Sequence, residues 1–301
     1  MKEQHYEVII IGGSYAGLSA AMALGRSLRK VLILDSGLPC NRQTPHSHNF
    51  LTQDGVAPHK LAKIAKEQVL QYNTVTFLSD IALTAKKEGE YFKVTSQAGK
   101  EFYSNKLVLA TGIKDEIPSI EGFKECWGIS LIHCPYCHGY EYHHKKTGIL
   151  ANSDRAFHLA SLINNLTNDI TIFTRGKANF TEEQILKLEE HHINIVEQEI
   201  TALQHEHGYL NHVILKNQAI LPFDVLYGSF PFIQHSTIPV SLGCELTENG
   251  YIKINNLQQT SINGVYACGD NATPMRSVAA AIAGGNLAGA MINKELIDDD
   301  F

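Results

Sequence analysis

Two cysteines three positions apart, Cys134 and Cys137, are the residues whose types and spacing point most directly to chemistry. Pro135 and Tyr136 separate them, and His138 follows directly. The species that attacks a disulfide is a thiolate, so the thiol pKa must be lowered by a nearby cation or a helix N-terminus. Histidine titrates near neutrality and can both accept and return a proton. This string is therefore typical of a dithiol–disulfide redox pair.

The same residues leave other interpretations open. The order Cys-x-x-Cys-His is also the attachment motif of c-type haem, but that attachment follows export, and we expect no export signal from this N-terminus. Zinc is a second alternative, although no further Cys-x-x-Cys or His-x-x-x-His follows at the spacing of a structural finger. Its ligands would be the two cysteines with one or two of His133, His138, His143 and His144. In a third interpretation the two cysteines form a structural disulfide or are unreactive thiols, but a Cys-x-x-Cys pair in a cytoplasmic protein is more often redox-active. We expect no bound metal.

The composition is that of a soluble globular protein with room for two domains. The chain has 301 residues, of which 44% are hydrophobic and 19% charged. Its net charge of −6 argues against a nucleic-acid partner, which would need a basic face. No apolar run approaches the length of a membrane span, so we expect a cytoplasmic protein with no membrane partner. The scattered cysteines are expected to be small buried hydrophobes; they are Cys40, Cys126, Cys244 and Cys268.

A nucleotide-binding signature occupies the start of the chain. Residues 7–11 form an apolar run that predicts a buried parallel strand, followed by a glycine-rich turn at 12–17 and a helix of small residues at 18–24. Residues 30–35 predict a second strand that ends in Asp35. In such a βαβ unit the helix N-terminus can hold a pyrophosphate, and the terminal acid accepts hydrogen bonds from a ribose.

One position of this fingerprint is unusual. Ser14 stands where the middle glycine belongs, which adds a Cβ where a phosphate should approach, although its hydroxyl can donate a compensating hydrogen bond. The glycines on either side keep their positions, since Gly12 serves the tight turn and Gly17 allows the helix to pack closely on the strand. We therefore predict a dinucleotide site here.

Two later segments support this prediction. Residues 108–112 read as a strand that ends in a small, tight turn, and 264–270 as another strand that ends in Gly269-Asp270. A helix rich in alanine and glycine is predicted at 275–285. The carboxylate of Asp270 is suited to bind a ribityl or ribose hydroxyl, and the helix N-terminus to face a flavin carbonyl.

In order and spacing these motifs resemble the low-molecular-weight thioredoxin reductases, over nearly the whole chain. The longer string from Cys134 to Glu141 most resembles the branch that contains dithiol oxidases of gliotoxin- and holomycin-type natural products. The resemblance implies FAD and an α/β fold of two Rossmann-like, three-layer nucleotide-binding domains, the second inserted into the first. The FAD domain would comprise residues 1–115 and 246–301, and the inserted NAD(P)H-domain-like domain, which carries the cysteines, 116–245. A homodimer is also implied.

The resemblance further implies roles for individual residues. Cys137 would lie against the flavin and form a charge-transfer or adduct thiolate, while Cys134 exchanges with the substrate. His138 occupies the position of the reductases' acidic proton donor, and Glu141 either orients that histidine or is an exposed carboxylate. The implied FAD site consists of Gly12, Gly13, Ser14, Ala16, Gly17, Asp35, Ser36, Asn41, Arg42, Ala110, Thr111, Gly112, Gly269, Asp270, Arg276, Ser277 and Val278.

A second βαβ unit stands where these reductases bind NADPH, and its turn looks degraded. Strands are predicted at 146–150 and 169–173, with a helix from Asp154 between them. The turn at 151–156 has no glycine, so its side chains obstruct close approach to a pyrophosphate. Arg175 and Lys177 follow the second strand, where they either supply charge for a 2′-phosphate or are solvated, as loop residues more often are. NADPH binding in the ordinary manner is therefore disfavoured.

Together these features predict an FAD-dependent dithiol–disulfide oxidoreductase of the thioredoxin-reductase type. A reductase would take electrons from NADPH or another donor and reduce a thioredoxin-like protein or a small disulfide. An oxidase would take electrons from a small-molecule dithiol and pass them to oxygen. The alternative from another class is a flavin- and thiol-containing redox sensor without catalytic turnover.

Overall fold

The computed structural model describes residues 4–301 and divides into two compact units. The first unit runs up to Arg42 and includes Phe50–Lys114 and Phe232–Phe301, and the second comprises Gln43–Asn49 and Asp115–Pro231. The strands are β1 (Gln4–Ile11), β2 (Val31–Asp35), β3 (Val75–Ser79), β4 (Ala82–Glu88), β5 (Tyr91–Ser96), β6 (Glu101–Leu109), β7 (Ile113–Asp115), β8 (Leu131–Ile132), β9 (Thr147–Leu150), β10 (Ile170–Phe173), β11 (Asn194–Val196), β12 (Ile200–Glu206), β13 (Tyr209–Leu215), β14 (Ile220–Pro222), β15 (Val225–Gly228), β16 (Phe232–Gln234) and β17 (Val265–Ala267). The helices are α1 (Tyr15–Arg26), α2 (Pro58–Val69), α3 (Phe123–Cys126), α4 (Pro135–His138), α5 (Ser153–Ile163), α6 (Glu182–Glu190), α7 (Ile238–Ser241) and α8 (Val278–Asp300), with a 3₁₀ turn at Tyr140–Tyr142.

The first unit is built on a seven-stranded sheet. Its order is β3-β2-β1-β6-β5-β4, and β17 also pairs with β6. The pairs β2–β3, β1–β2, β1–β6 and β6–β17 are parallel, whereas β4, β5 and the start of β6 form an antiparallel meander. Successive residues of a strand face opposite sides, so the central strands have to be apolar on both. Val8 and Ile10 accordingly pack under the helices, and Ile9 and Ile11 pack against the meander side.

Helix α8 closes the helical face of this sheet against α1. The hydroxyl of Ser19 on α1 donates to the carbonyl of Ile282 on α8 over 2.7 Å. Further along α8, Glu295 and Asp299 accept hydrogen bonds from the ammonium of Lys106 on β6, at 2.6 and 2.8 Å. The predicted helix at 275–285 is therefore a longer one, which starts at Val278 and is tied to the sheet along its length.

The second unit contains a five-stranded parallel sheet of order β11-β10-β9-β15-β8. Ile149 and Ile172 face α5 and α6 on one side of it, and Leu150 and Phe173 face the antiparallel sheet β12-β13-β14 on the other. Helix α5 begins at Ser153, one residue before the predicted Asp154, and is capped by the side chain of Asn152, while α6 begins with a capping box. Two Rossmann-like domains are thus present, as the sequence predicts.

The boundaries of the units differ from those predicted. The first unit resumes at Phe232 rather than at residue 246, because β16 pairs with β7 and Ile238 packs in the core beside β1. The segment Gln43–Asn49, predicted to belong to the FAD domain, groups with the second unit. It packs on Gly128, where a Cβ atom would lie only 2.9 Å from the side chain of Gln43.

Within residues 4–301, no helix is both long and apolar enough to span a membrane.

Candidate active site

The two cysteines lie at the two ends of the first turn of α4. Cys134 is the N-cap residue, Pro135 occupies the first helical position, and Cys137 follows one turn later. The backbone N–H groups of Cys137 and His138 donate to the carbonyl of Cys134 at 3.2 and 3.3 Å. Proline suits this position because its fixed φ is already helical and it has no N–H to leave unsatisfied. The local sequence therefore builds a compact turn that holds both half-buried thiols close together.

His138 closes this turn and is itself half-buried. Burial lowers the pKa of its imidazole below the ordinary value of 6.5, and the nearby imidazole of His48 lowers it further. The carboxylate of Glu141 acts in the opposite direction and raises it. At neutral pH the ring is therefore mostly neutral, which is the form that can accept a proton from a thiol.

A residue that sequence reasoning missed completes this cluster. The Nδ1 atom of His48 lies 3.4 Å from Oε1 of Glu141, and the rings of His48 and His138 meet edge to face with centroids 6.0 Å apart. Side-chain nitrogen or oxygen atoms of all three residues lie within 4.8 Å of one another. His48 stands in the polar segment 43–49, 90 residues before His138, with no periodicity or motif that could have pointed to it.

The glycine-rich turn of the first unit lies where three parallel strands end side by side. β6 lies between β1 and β17, and the next residues along the chain are the predicted segments 12–17, 110–112 and 269–270. Ligands of such sheets bind outside the carboxyl ends of the strands, where connections diverge. The topology therefore brings three remote pieces of the predicted FAD site to one edge.

The glycine-rich turn has the close approaches that the fingerprint requires. Gly12 has a φ of +107°, and a Cβ atom there would overlap the carbonyl of Ala110. A Cβ atom at Gly17 would overlap the carbonyl of Gly12, so α1 packs directly on the turn. Ser14 is the N-cap of α1 but its side chain makes no capping hydrogen bond. Both carboxylate oxygens of Asp35 accept backbone hydrogen bonds, from Gly13 at 2.8 Å and from Gly37 at 3.0 Å.

The third segment supplies polar groups at the start of α8. The guanidinium of Arg276 lies 3.8 Å from the carboxylate of Asp270, and the hydroxyl of Ser277 caps α8 by accepting a hydrogen bond from Ala280. Asn271, which sequence reasoning did not select, is fully buried and donates to the carbonyl of Leu109 at 2.8 Å. Its side-chain oxygen is buried without a hydrogen-bond partner in the described structure.

The remaining predicted FAD residues lie on or beside these elements. Ala16 is buried on α1, and Val278 begins α8. Ser36 and Arg42 are exposed after β2, and Asn41 is half-buried. The guanidinium of Arg42 donates to the carbonyl of Pro39 at 3.0 Å. Ala110, Thr111 and Gly112, at the end of β6, are all half-buried.

The turn of the second unit is closed by its own side chains. The side-chain oxygen of Asn152 accepts hydrogen bonds from the N–H of Ser153 at 2.8 Å and of Asn179 at 3.0 Å, and its amide donates to the carbonyl of Lys177 at 3.0 Å. The N–H of Ser153 is at the N-terminus of α5, and such N–H groups are the ones through which a helix binds a phosphate. Ser153 also has a φ of +58°, a conformation that favours glycine. Arg175 and Lys177 are both exposed.

The other cysteines fall into two groups. Cys126, Cys244 and Cys268 are buried as predicted, and burial raises the thiol pKa of Cys126 to about 11 and of Cys268 to about 12. A thiol with such a pKa is inert at neutral pH. The prediction was wrong for Cys40, which is exposed because it lies in the irregular segment after β2, and whose thiol lies 3.6 Å from the carboxylate of Asp270.

Comparison with known proteins agrees with these two units. The pyridine nucleotide-disulphide oxidoreductase family matches residues 6–285. The chain is 31% identical to thioredoxin reductase sirT of Leptosphaeria maculans over 98% of its own length and 96% of that protein. It is 30% identical to thioredoxin reductase tcpT of Claviceps purpurea over 97% of its length and 95% of that protein. The crystal structure of the putative thioredoxin reductase TrxB from Bacillus anthracis superposes with a TM-score of 0.94 at 29% identity, over 98% of this chain and 100% of that one.

This family implies a flavin cofactor, and the first unit offers a fitting site. Gly12 and Gly17 have no room for a Cβ atom, because the carbonyls of Ala110 and Gly12 lie against them, so the turn is as tight as a pyrophosphate-binding turn requires. The orphaned buried oxygen of Asn271 lies on the segment that follows β17. Both features belong to the strand ends where the sheet diverges. The matched family and the whole-chain relatives make the chain an oxidoreductase enzyme, and it belongs to the pyridine nucleotide-disulphide oxidoreductases.

Proposed function

We propose that this enzyme is an FAD-dependent dithiol–disulfide oxidoreductase in which Cys134 and Cys137 exchange electrons with a dithiol substrate. The observation that carries the proposal is the pair on one helical turn, followed directly by a half-buried histidine with a lowered pKa. A thiol–disulfide exchange needs two sulfur atoms within reach and a nearby group that takes up and returns protons. The turn of α4 supplies both.

In the proposed cycle the pair starts in its oxidised form. A thiolate of the substrate attacks Sγ of Cys134, which forms a mixed disulfide and releases Cys137 as the thiolate. The second substrate thiol gives its proton to His138 and attacks the substrate sulfur of the mixed disulfide. This closes the substrate disulfide and releases Cys134, so two electrons have moved from the substrate to the pair. A bound flavin would supply the two-electron acceptor that returns the pair to the disulfide.

FAD is the flavin that suits the first unit, because the Gly12–Gly17 turn is of the kind that binds a pyrophosphate. The N-terminus of α1 would hold the pyrophosphate, and Asp35 the adenosine ribose. Asp270 and the N-terminus of α8 would hold the ribityl chain and the ring system. When bound, the flavin supplies a two-electron acceptor.

The closed turn of the second unit favours oxidation of the dithiol over reduction by NADPH. Asn152 occupies the N–H of Ser153, at the start of α5, where a dinucleotide pyrophosphate would need a free donor, and it also ties the loop residue Asn179 to this turn. Electrons would then enter from the substrate and leave to molecular oxygen, which is reduced to hydrogen peroxide. The relatives named above carry the name thioredoxin reductase, so a thioredoxin-like protein is the alternative substrate to a small-molecule dithiol. We also propose a cytoplasmic homodimer.

The test is an anaerobic titration of the flavin-loaded protein. One equivalent of a small dithiol should bleach the flavin absorbance rapidly, whereas one equivalent of NADPH should not. Admission of oxygen should restore the absorbance and release one equivalent of hydrogen peroxide. Rapid bleaching by NADPH would contradict the proposed direction, and failure of every dithiol and disulfide to turn over would point instead to a redox sensor.

A further inference from the structure

The segment Gln43–Asn49 has no function in the mechanism above, yet it brings a third titratable side chain to the proton carrier. It leaves the first unit and packs on Gly128 of the second, with Gln43 and Thr44 close to the glycine backbone. At its far end His48 is largely buried, with 19% of its side chain exposed. A loop histidine held in this way is ordered by its surroundings rather than solvated.

We propose that His48 is a positioning residue for His138, acting through the carboxylate of Glu141. The inference deepens the proposed function and rests on it for the catalytic consequence. Nδ1 of His48 lies 3.4 Å from Oε1 of Glu141, which is within ion-pair distance but longer than an ordinary N–H···O hydrogen bond, and a proton on that nitrogen attracts the carboxylate and holds it beside the proton carrier. Glu141 is a partly exposed residue of a 3₁₀ turn, so without this contact its side chain is free to rotate into solvent.

The direction in which the pKa of His138 shifts can test this arrangement, because the neighbouring groups act on that pKa in opposite directions. The groups that act on the pKa of His138 are Glu141, which raises it, and His48, which lowers it. Glu141 also faces Tyr142 and Tyr227, whose pKa values are raised, mainly by burial, so both remain neutral near pH 7. The ring of His46 lies 6.1 Å from that of His48 on the same segment.

His48 can act on His138 by holding Glu141 in place or by direct repulsion, and loss of His48 shifts the pKa of His138 in opposite directions in the two cases. If His48 holds the carboxylate in place, His48→Ala releases Glu141, and the pKa of His138 falls as it does in Glu141→Gln. If His48 acts only by direct repulsion, His48→Ala removes that repulsion, and the pKa of His138 rises. The direction of the shift decides between the roles.

The experiment is a pH titration by NMR of the full-length flavin-loaded protein labelled in its histidine rings, with His138 assigned from His138→Gln. His48→Ala and Glu141→Gln should both move the midpoint of His138 to lower pH. His48→Asn, which keeps a donor close to the Nδ1 position, should restore the parental midpoint. His158→Ala, at an exposed histidine of α5, is the matched control and should leave it unchanged. No shift in His48→Ala, or a shift to higher pH, would overturn the proposal.

The kinetic consequence is measured separately. His48→Ala should lower kcat/KM for the dithiol by about tenfold, since it loses part of a proton-transfer contribution of about 10²- to 10⁴-fold. His48→Asn should recover most of this loss. Because the NMR titration needs no substrate, the expected NMR shifts without any dithiol turnover would count against the proposed function alone. Unshifted titrations in an active enzyme would count against the positioning role alone.

Discussion

At the scale of single residues, we predict that Cys134 exchanges with the substrate and that Cys137 interacts with the flavin. Cys137→Ser should abolish reduction of the flavin by a dithiol and remove any long-wavelength thiolate-to-flavin absorbance. Cys134→Ser should also stop the exchange with substrate but retain that absorbance at high pH, because Cys137 keeps its thiolate. Cys244→Ala, at a buried cysteine of the other unit, is the control and should behave as the parent. Absorption spectra and anaerobic dithiol titrations measure both effects, and the opposite assignment would exchange the two spectra.

His138 should add a second decline to the acid limb of the pH–rate profile. Burial lowers its pKa, so the imidazole stays neutral to a lower pH than an ordinary histidine with its pKa of 6.5. Its ability to accept a proton is therefore present at neutral pH and lost only as the pH falls through the lowered pKa. Ionisation of the substrate thiol gives kcat/KM one acid limb, since the thiolate is the attacking species, and we expect His138 to add a second, steeper decline only below about pH 6.5. His138→Gln should cost about 10²- to 10⁴-fold and remove the second decline; a second decline that persists in the variant would contradict the assignment.

The residues of this site were predictable to different degrees for physical reasons. Cys134, Cys137 and His138 are neighbours in sequence, and a single helical turn keeps them together. The local sequence pattern was therefore sufficient to predict them. His48 reaches the same cluster only through the path of Gln43–Asn49, which depends on tertiary packing around Gly128. No local pattern encodes such a contact.

At the scale of elements, Asn152 should stabilise the second unit as strongly as a good helix cap. Asn152→Ala removes the acceptor for two N–H groups and a donor to the Lys177 carbonyl, which we expect to lower unfolding stability by about 1–3 kcal/mol. Asn152→Asp keeps the acceptor and should lose less. Calorimetric melting temperatures measure the effect, with the exposed Asn165→Ala as the control. A melting temperature unchanged in Asn152→Ala would show that the closed turn is not held by this side chain.

The elements that the sequence predicted best are the ones with the strongest local signals. The sequence predicted the apolar strands β1, β2, β9 and β10 and helix α5, because burial on both faces of a sheet and the polar turn before a helix show as patterns of consecutive residues. The end of α8 was not predicted, since the Ala/Gly-rich motif stops at 285 while the tertiary contacts of Lys106 support the helix further. The first unit resumes at Phe232, earlier in the chain than the predicted residue 246, because β16 pairs with the remote β7.

At the scale of the whole molecule, one ligand is expected to join three remote parts of the first unit. The turn at 12–17, the end of β6 and the start of α8 meet only because parallel strands β1, β6 and β17 end together. A ligand that touches all three binds the folded unit and has no comparable site in the unfolded chain. Such binding adds stability that grows with ligand concentration.

FAD should therefore raise the melting temperature of the flavin-stripped protein in a concentration-dependent manner. At about 100 times its dissociation constant it adds about 2.7 kcal/mol to the free energy of unfolding of the part that holds it. Riboflavin at the same concentration should give little shift, because it lacks the pyrophosphate that the N-terminus of α1 would bind. NADPH should give none, because Asn152 closes the turn of the second unit. Calorimetry measures all three ligands under one set of conditions, and a shift with NADPH as large as that with FAD would contradict both the assignment of the first turn and the closure of the second.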